Sequence, residues 1–211
     1  MIIKVIPVGP IAVNCSVVAD QTSGEAVIID PGAEVEKILE NLNDFKVVGI
    51  IATHGHIDHV GQVGKLKEIF DVPFYMNPLD NFLINDEIWS GFATYIGAVP
   101  CPEPDVPIKE GDEIKVGNLK FKVLHTPGHT PGLCCLYNEE NKILIAGDLL
   151  FKGSVGRWDL PGGNLEELKK SVKRVLTELP EDTLVICGHY DETTIGQERT
   201  FNPFAGELIG E

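Results

Sequence analysis

Residues 51–61 read IATHGHIDHVG, and residues 54–59 within them hold three of the chain's six histidines and one aspartate. The apolar run KVVGII leads into this stretch, so it reads as a strand that opens into a polar loop. Such a loop is either a solvated turn or half of a metal site. The second reading requires a fold that brings further ligands to the same place from distant parts of the chain.

The sequence offers them at other strand ends. His125 and His129 follow FKVL, Asp148 follows ILIAG, and His189 follows LVICG. All six histidines fall in such exits and none in a predicted helix. A lone histidine is more often a surface or core residue. Four exits with the same chemistry argue for binding residues on loops at one rim of a rigid scaffold.

The surrounding pattern fits two sheets. IIKVIPV, NCSVVAD and EAVIIDPG read as strands, with a turn at Thr22–Ser23–Gly24, and suggest antiparallel pairing. A helix carries Val35, Ile38, Leu39 and Leu42 on one face, and a second carries Val60, Val63, Leu66, Ile69 and Phe70. VPFYM is a short strand. Residues 78–105 are less regular and read as a surface excursion with one or two short helices. Strands return at DEIKVG, LKFKVLHT, GLCCLYN and KILIAGD. Asn164, with Glu167 three residues on, opens a helix whose apolar face runs through Leu165, Leu168, Val172, Val175, Leu176 and Leu179. DTLVICGH is the last predicted strand, and a short segment ends in NPFAGELIG. This order gives two βα halves, each opening with antiparallel strands. Two sheets with helices outside would bury every apolar face.

Composition narrows the partners. With 17 basic against 32 acidic residues the formal charge is -15, which argues against nucleic acid or an anionic membrane surface. No segment approaches 18 uncharged apolar residues, so no membrane span is expected. The five cysteines are odd in number and form no CxxC pair, which disfavours a zinc ribbon or disulfide framework and fits a reducing, cytoplasmic setting. Pro7 and Pro10 interrupt the apolar N-terminus, which reads as a first strand rather than a signal peptide. With 211 residues, 43% of them hydrophobic, and no linker, one domain over 1–211 is expected.

Spacing says something about the ligands. His54 and His56, with glycine between them, can aim two imidazoles at one ion. Asp58 and His59 can reach a second point across the turn. Nitrogen and carboxylate donors suit zinc, iron or manganese. Spacing alone yields a cluster, not the assignment of each ligand to an ion.

THGHIDH resembles the THxHxDH signature of the metallo-β-lactamase superfamily, and HTPGHTPG, AGD and CGH resemble its later motifs. Short glyoxalase II-like hydrolases share HTPGHTPG, LFKGSVGRWDLPGG and a TTIGQE…NPF ending, so the resemblance spans nearly the whole chain. It implies an α+β fold, a four-layer αββα sandwich. It implies two divalent ions, zinc first, with iron or manganese as alternatives. His54, His56 and His129 would hold the first ion and Asp58, His59 and His189 the second, with Asp148 bridging. It further implies a metal-dependent hydrolase acting on a small thioester, such as that of glutathione, by attack of a metal-bound hydroxide. Asp58 would be the catalytic carboxylate, orienting the nucleophile or taking its proton. Glyoxalase II members hydrolyse S-lactoylglutathione.

Three departures bear on substrate. The additional C-terminal helical domain, the source of glutathione contacts in full-length glyoxalase II, is not expected here. GHY replaces the frequent GHG at Tyr190, and GRWD replaces GRTD at Trp158. Arg157, Trp158 and Tyr190 are therefore the candidate substrate-binding residues. Rim packing is the plainer role for both aromatics, and an ion pair with Asp159 the plainer one for Arg157. Asp30 is by default a turn aspartate, or else it holds the metal-bearing loop. His125 is a supporting or merely satisfied loop histidine. Rival functions are an iron-dependent persulfide dioxygenase using His54, His129 and Asp148, and a lactonase or phosphodiesterase. A non-enzymatic metal-binding scaffold is disfavoured because every expected metal position is filled.

Overall fold

A computed structural model describes residues 1–84 and 86–205; the end of the NPFAGELIG segment lies outside them. Strand residues alternate between two apolar layers, as period-two side chains must. In β2 (Val13–Asp20), Val13, Cys15, Val17 and Ala19 join one buried cluster while Val18 joins another. In β3 (Glu25–Ile29), Ala26 and Ile28 face the first layer, and Val27 and Ile29 the second. Both strands are therefore covered on two sides.

The first sheet runs β1 (Ile2–Val8), β2, β3, β4 (Lys46–Ile51), β5 (Phe74–Met76), β6 (Val106–Pro107). Its first three strands pair antiparallel and the rest parallel. The second sheet runs β14 (Thr193–Thr194), β13 (Leu184–Cys187), β10 (Ile143–Gly147), β9 (Cys134–Asn138), β8 (Leu119–His125), β7 (Glu113–Val116). Between β10 and β13, which are parallel, lie the hairpin of β11 (Leu150–Phe151) and β12 (Ser154–Val155) and a long helix.

The helices are α1 (Val35–Glu40), α2 (Ile57–Val60), α3 (Val63–Phe70), α4 (Ser90–Ile96), α5 (Leu165–Glu178) and α6 (Ile195–Phe201). Three apolar layers result. Val35, Ile38, Val63 and Leu66 pack with the first sheet. Ile29 and Ile51 meet Phe121, Val123, Leu136 and Ile145 between the sheets. Leu168, Val172, Val175 and Leu176 of α5 cover the second sheet. This is the αββα sandwich. Each large side chain buried in these layers stabilises the fold by roughly 1.5–3 kcal/mol relative to exposure.

Several elements differ from the expectations. The helix expected through Val60–Phe70 breaks at Gly61–Gln62 into α2 and α3, and Ile69 is exposed because Val63 and Leu66 already fill the inward face. His59 sits within the single turn of α2, not in a loop. The terminal segment contains β14 and α6, the latter capped by the Thr194 side chain accepting from the Gln197 N–H. Residues 78–105 match the expectation of short helices: among the described residues they hold two 3₁₀ turns and α4, which has no buried residue.

Candidate metal centre

Strands β8, β10 and β13 run in the same direction, so the residues that follow them leave from one edge of the second sheet. The loop after β4 joins this edge because Cys134 N–H donates to Thr53 O at 2.9 Å. The loop after β13 is tied to the first sheet by a bridge between Val13 and His189. The four expected exits therefore converge at one rim.

His54 Nε2, His56 Nδ1 and His129 Nε2 form a triangle with sides of 3.0, 2.9 and 3.2 Å. The outer nitrogens fix two of these rings. Thr53 Oγ1 donates to Asp30 Oδ2 at 2.8 Å, so it accepts from His54 Nδ1 at 3.1 Å. His129 Nδ1 donates to the Arg157 carbonyl at 2.7 Å. A neutral imidazole has one N–H and one lone pair. His54 and His129 therefore aim two Nε2 lone pairs at one point, a repulsive arrangement that a cation relieves. Donors about 2.0–2.1 Å from a tetrahedral ion lie about 3.3–3.4 Å apart, close to the sides observed.

A second group lies beside the first. His59 Nε2 is 3.5 Å from Asp58 Oδ2, and His189 Nε2 is 3.3 Å from the same oxygen. Asp148 stands between the groups, with Oδ2 at 3.5 Å from His129 Nε2 and 3.6 Å from His189 Nε2, and Oδ1 at 3.4 Å from His59 Nε2. Both His59 Nε2 and Asp148 Oδ1 are buried without a hydrogen-bond partner. Two buried polar atoms facing each other unbonded are costly unless something else binds them. His189 Nδ1 donates to Ile11 O at 3.1 Å, which turns Nε2 toward the cluster. The sets His54–His56–His129 and Asp58–His59–His189 each satisfy the geometry for holding an ion, as does His54–His59–Asp148. The residues present thus fit a pair of divalent cations.

The electrostatics of the two sets differ in the metal-free fold. Burial, then the neighbouring histidines, hold His54 well below its usual range, and burial and His129 push His56 down to about 3. Both are neutral near pH 7, as metal ligands must be. Burial opposes ionisation of Asp148 and Asp58, but His59 and its neighbours outweigh it and both carboxyls are held low. Burial also opposes a charge on His59, yet Asp148, Asp58 and Asp30 raise it well above the usual value. His189 is raised as well, with Asp58 and Asp148 outweighing burial.

Local packing explains the glycines and the support. A Cβ at Gly32 would lie 1.4 Å from Asp58 O, so the DPG turn must present glycine to the α2 turn. Asp30 holds the metal-bearing loop, accepting Thr53 N–H at 2.7 Å as well as its hydroxyl, with His59 Nδ1 3.0 Å away. His125 Nε2 donates to Pro131 O at 2.8 Å and closes the HTPGHTPG loop, a supporting role.

A cavity of about 530 Å³ opens over His56, Asp58, His129, Asp148 and His189, walled by Ile11, Phe92, Phe151, Val155, Leu160 and Tyr190. Arg157 also lines it, with its guanidinium in a two-pronged pair with Asp159 at 2.8 Å. Trp158 lies elsewhere, in an adjoining cleft with Leu168, Val172 and Phe204. Two supporting residues were not anticipated, Asn14 of β2, which holds the His189 loop, and Asp80 between the other ligand loops. Asp80 follows the end of β5, so the strand-exit rule that selected the ligands also applies to it.

Residues 8–189 match the sequence profile of the metallo-β-lactamase superfamily. The chain is similar to the hydroxyacylglutathione hydrolase GloC of Haemophilus influenzae, 38% identical over 97% of this chain and 98% of that one. Among solved structures it is similar to the BLEG-1 B3 metallo-β-lactamase (TM-score 0.87, 36% identity, 97% and 99% of the two chains). It is also similar to TTHA1623 in a di-iron-bound form (TM-score 0.86, 40% identity, 95% and 99%).

Proposed function

The chain belongs to the metallo-β-lactamase superfamily, and from that membership we propose that it is a dinuclear metal-dependent hydrolase cleaving a thioester of glutathione or a related thiol. The observation that carries the hydrolase reading is the convergence of three imidazole nitrogens within 3.2 Å, beside a second set joined to them by Asp148. Similarity to GloC over almost the full length of both chains supports the thioester. Zinc is the first choice of ion, with iron as alternative because a similar structure holds two irons. The buried free thiols fit a cytoplasmic setting.

His54, His56 and His129 would hold the first ion and Asp58, His59 and His189 the second, with Asp148 standing between the two sets. When bound, divalent ions supply an acidified water and polarise a carbonyl oxygen. The chain's own residues do the rest. Asp58 turns Oδ2 toward His59 and His189, and its other oxygen would orient the nucleophile or take its proton. Tyr190, Phe151 and Val155 wall the cavity and offer the scissile bond an apolar side. Arg157 supports His129 through its carbonyl, and its guanidinium shapes the rim through Asp159.

The test is elemental analysis of protein purified without added metal, paired with a thioester panel that includes S-lactoylglutathione. Two ions per chain and chelator-sensitive thiol release are expected. A single iron with oxygen uptake on glutathione persulfide would assign the dioxygenase instead. A His54→Ala variant with unchanged metal content and turnover would overturn the assignment.

A further inference from the structure

We propose that Asp80 is a positioning residue that locks the two loops carrying His54, His56 and His129 to one another and so sets the spacing of the first metal's three nitrogens. The inference rests on the metal-centre reading above.

Asp80 ends the 3₁₀ turn Pro78–Asp80 that follows β5, and it is fully buried. The turn is set by Asn77, whose side chain accepts the Leu79 N–H at 3.1 Å. Asp80 Oδ2 accepts from Gly55 N–H at 3.0 Å and from Thr130 Oγ1 at 2.7 Å, and Oδ1 accepts from Gly132 N–H at 2.6 Å. Gly55 lies between His54 and His56, and Thr130 follows His129. One carboxylate thus receives donors from both ligand loops, 25 to 52 positions away.

A separate observation concerns space. A Cβ at Gly55 would lie 2.9 Å from the Asp80 Cβ and 2.8 Å from its carbonyl oxygen, and a Cβ at Gly132 would lie 2.6 Å from Asp80 Cγ. Both loops approach Asp80 as closely as glycine permits. The middle glycine of THGHIDH is therefore explained by Asp80, on a different strand exit. Hydrogen-bonded partners behind metal ligands typically contribute 10- to 100-fold in metal affinity.

The test strips the protein of metal and measures both zinc dissociation constants by competition with a chromophoric chelator. Asp80→Asn keeps the shape but replaces one acceptor oxygen with a donor group. One zinc constant is expected to weaken roughly 10- to 100-fold, with the other changed far less. Thr130→Val removes one donor and is expected to weaken the same constant by a smaller factor, with Thr130→Ser restoring it. Circular dichroism of the metal-free variants checks folding. If Asp80→Asn fails to fold, the Thr130 pair decides: an unchanged constant in Thr130→Val overturns the proposal, and a loss restored by serine supports it. Wild-type constants in both Asp80→Asn and Thr130→Val overturn it outright. If the wild-type chain itself takes up no zinc, iron or manganese, the metal-centre reading fails along with it.

Discussion

The side-chain amide of Asn14 donates to the carbonyl oxygen of Tyr190 at 2.8 Å, joining residues 176 positions apart. The same amide donates to Cys187 O at 3.0 Å, and the Asn14 N–H donates to Gly188 O at 2.7 Å. The loop that presents His189 therefore hangs from the start of β2. Asn14→Asp keeps the size but replaces the amide donor with acceptor oxygens. Leaving these carbonyls unpaired is expected to cost about 1–3 kcal/mol in the metal-free protein and to weaken the ion held by His189. Thermal unfolding and zinc stoichiometry check both effects; no change in either would contradict the arrangement.

Tyr190 itself occupies left-handed backbone space at φ 63° while its ring meets Phe151 edge-on at 5.7 Å. A non-glycine residue there costs roughly 1–2 kcal/mol. Tyr190→Gly relieves that strain, offset in part by the greater freedom of glycine in the unfolded chain. The variant is expected to melt up to about 2–4 °C higher, yet to show a several-fold higher KM for a thioester. A lower melting temperature with an unchanged KM would assign Tyr190 to packing alone.

The pH dependence of the metal-free protein carries a sign. His56 is pushed down to about 3 in the fold but titrates near 6.5 when unfolded. Its contribution to stability is complete above pH 6.5 and is lost as pH falls toward 3, because the unfolded chain binds a proton that the fold refuses. The slope from one such group reaches at most about 1.4 kcal/mol per pH unit. His59, raised in the fold, acts oppositely: its contribution is complete below 6.5 and lost at higher pH. Urea midpoints in chelator at pH 6.5 and 4.5 should therefore differ less in His56→Gln than in wild type. Equal differences would show that His56 is protonated in the fold.

Burial raises all five thiols, with those of Cys101, Cys134, Cys135 and Cys187 pushed up to about 12. A thiol-specific chromogenic disulfide at pH 8 should label none of them in the native chain and all five in denaturant. Rapid labelling of a native thiol would mean that one layer of the sandwich opens readily.

The candidate ligand residues are legible because each lies beyond a run of strand-forming residues, and the sheets bring those exits to one rim. The layers were legible from period two in β2 and β3 and from the apolar face of α5. No local pattern marks Asn14 and Asp80, because their partners are backbone groups and the Thr130 hydroxyl, 25 to 176 positions away. His59 was placed in a loop because a four-residue helix is too short to show a period. Trp158 is a candidate for the rim because GRWD replaces GRTD, whereas the structure puts it beside α5, with Leu168 and Val172.

The most direct test of the account is a metal titration of the stripped protein with thioester turnover followed in parallel. The account requires two ions per chain, with thiol release appearing only as the centre fills and vanishing in His54→Ala and His189→Ala. Thiol release by the metal-free chain, or saturation at one ion with neither variant altered, would contradict it.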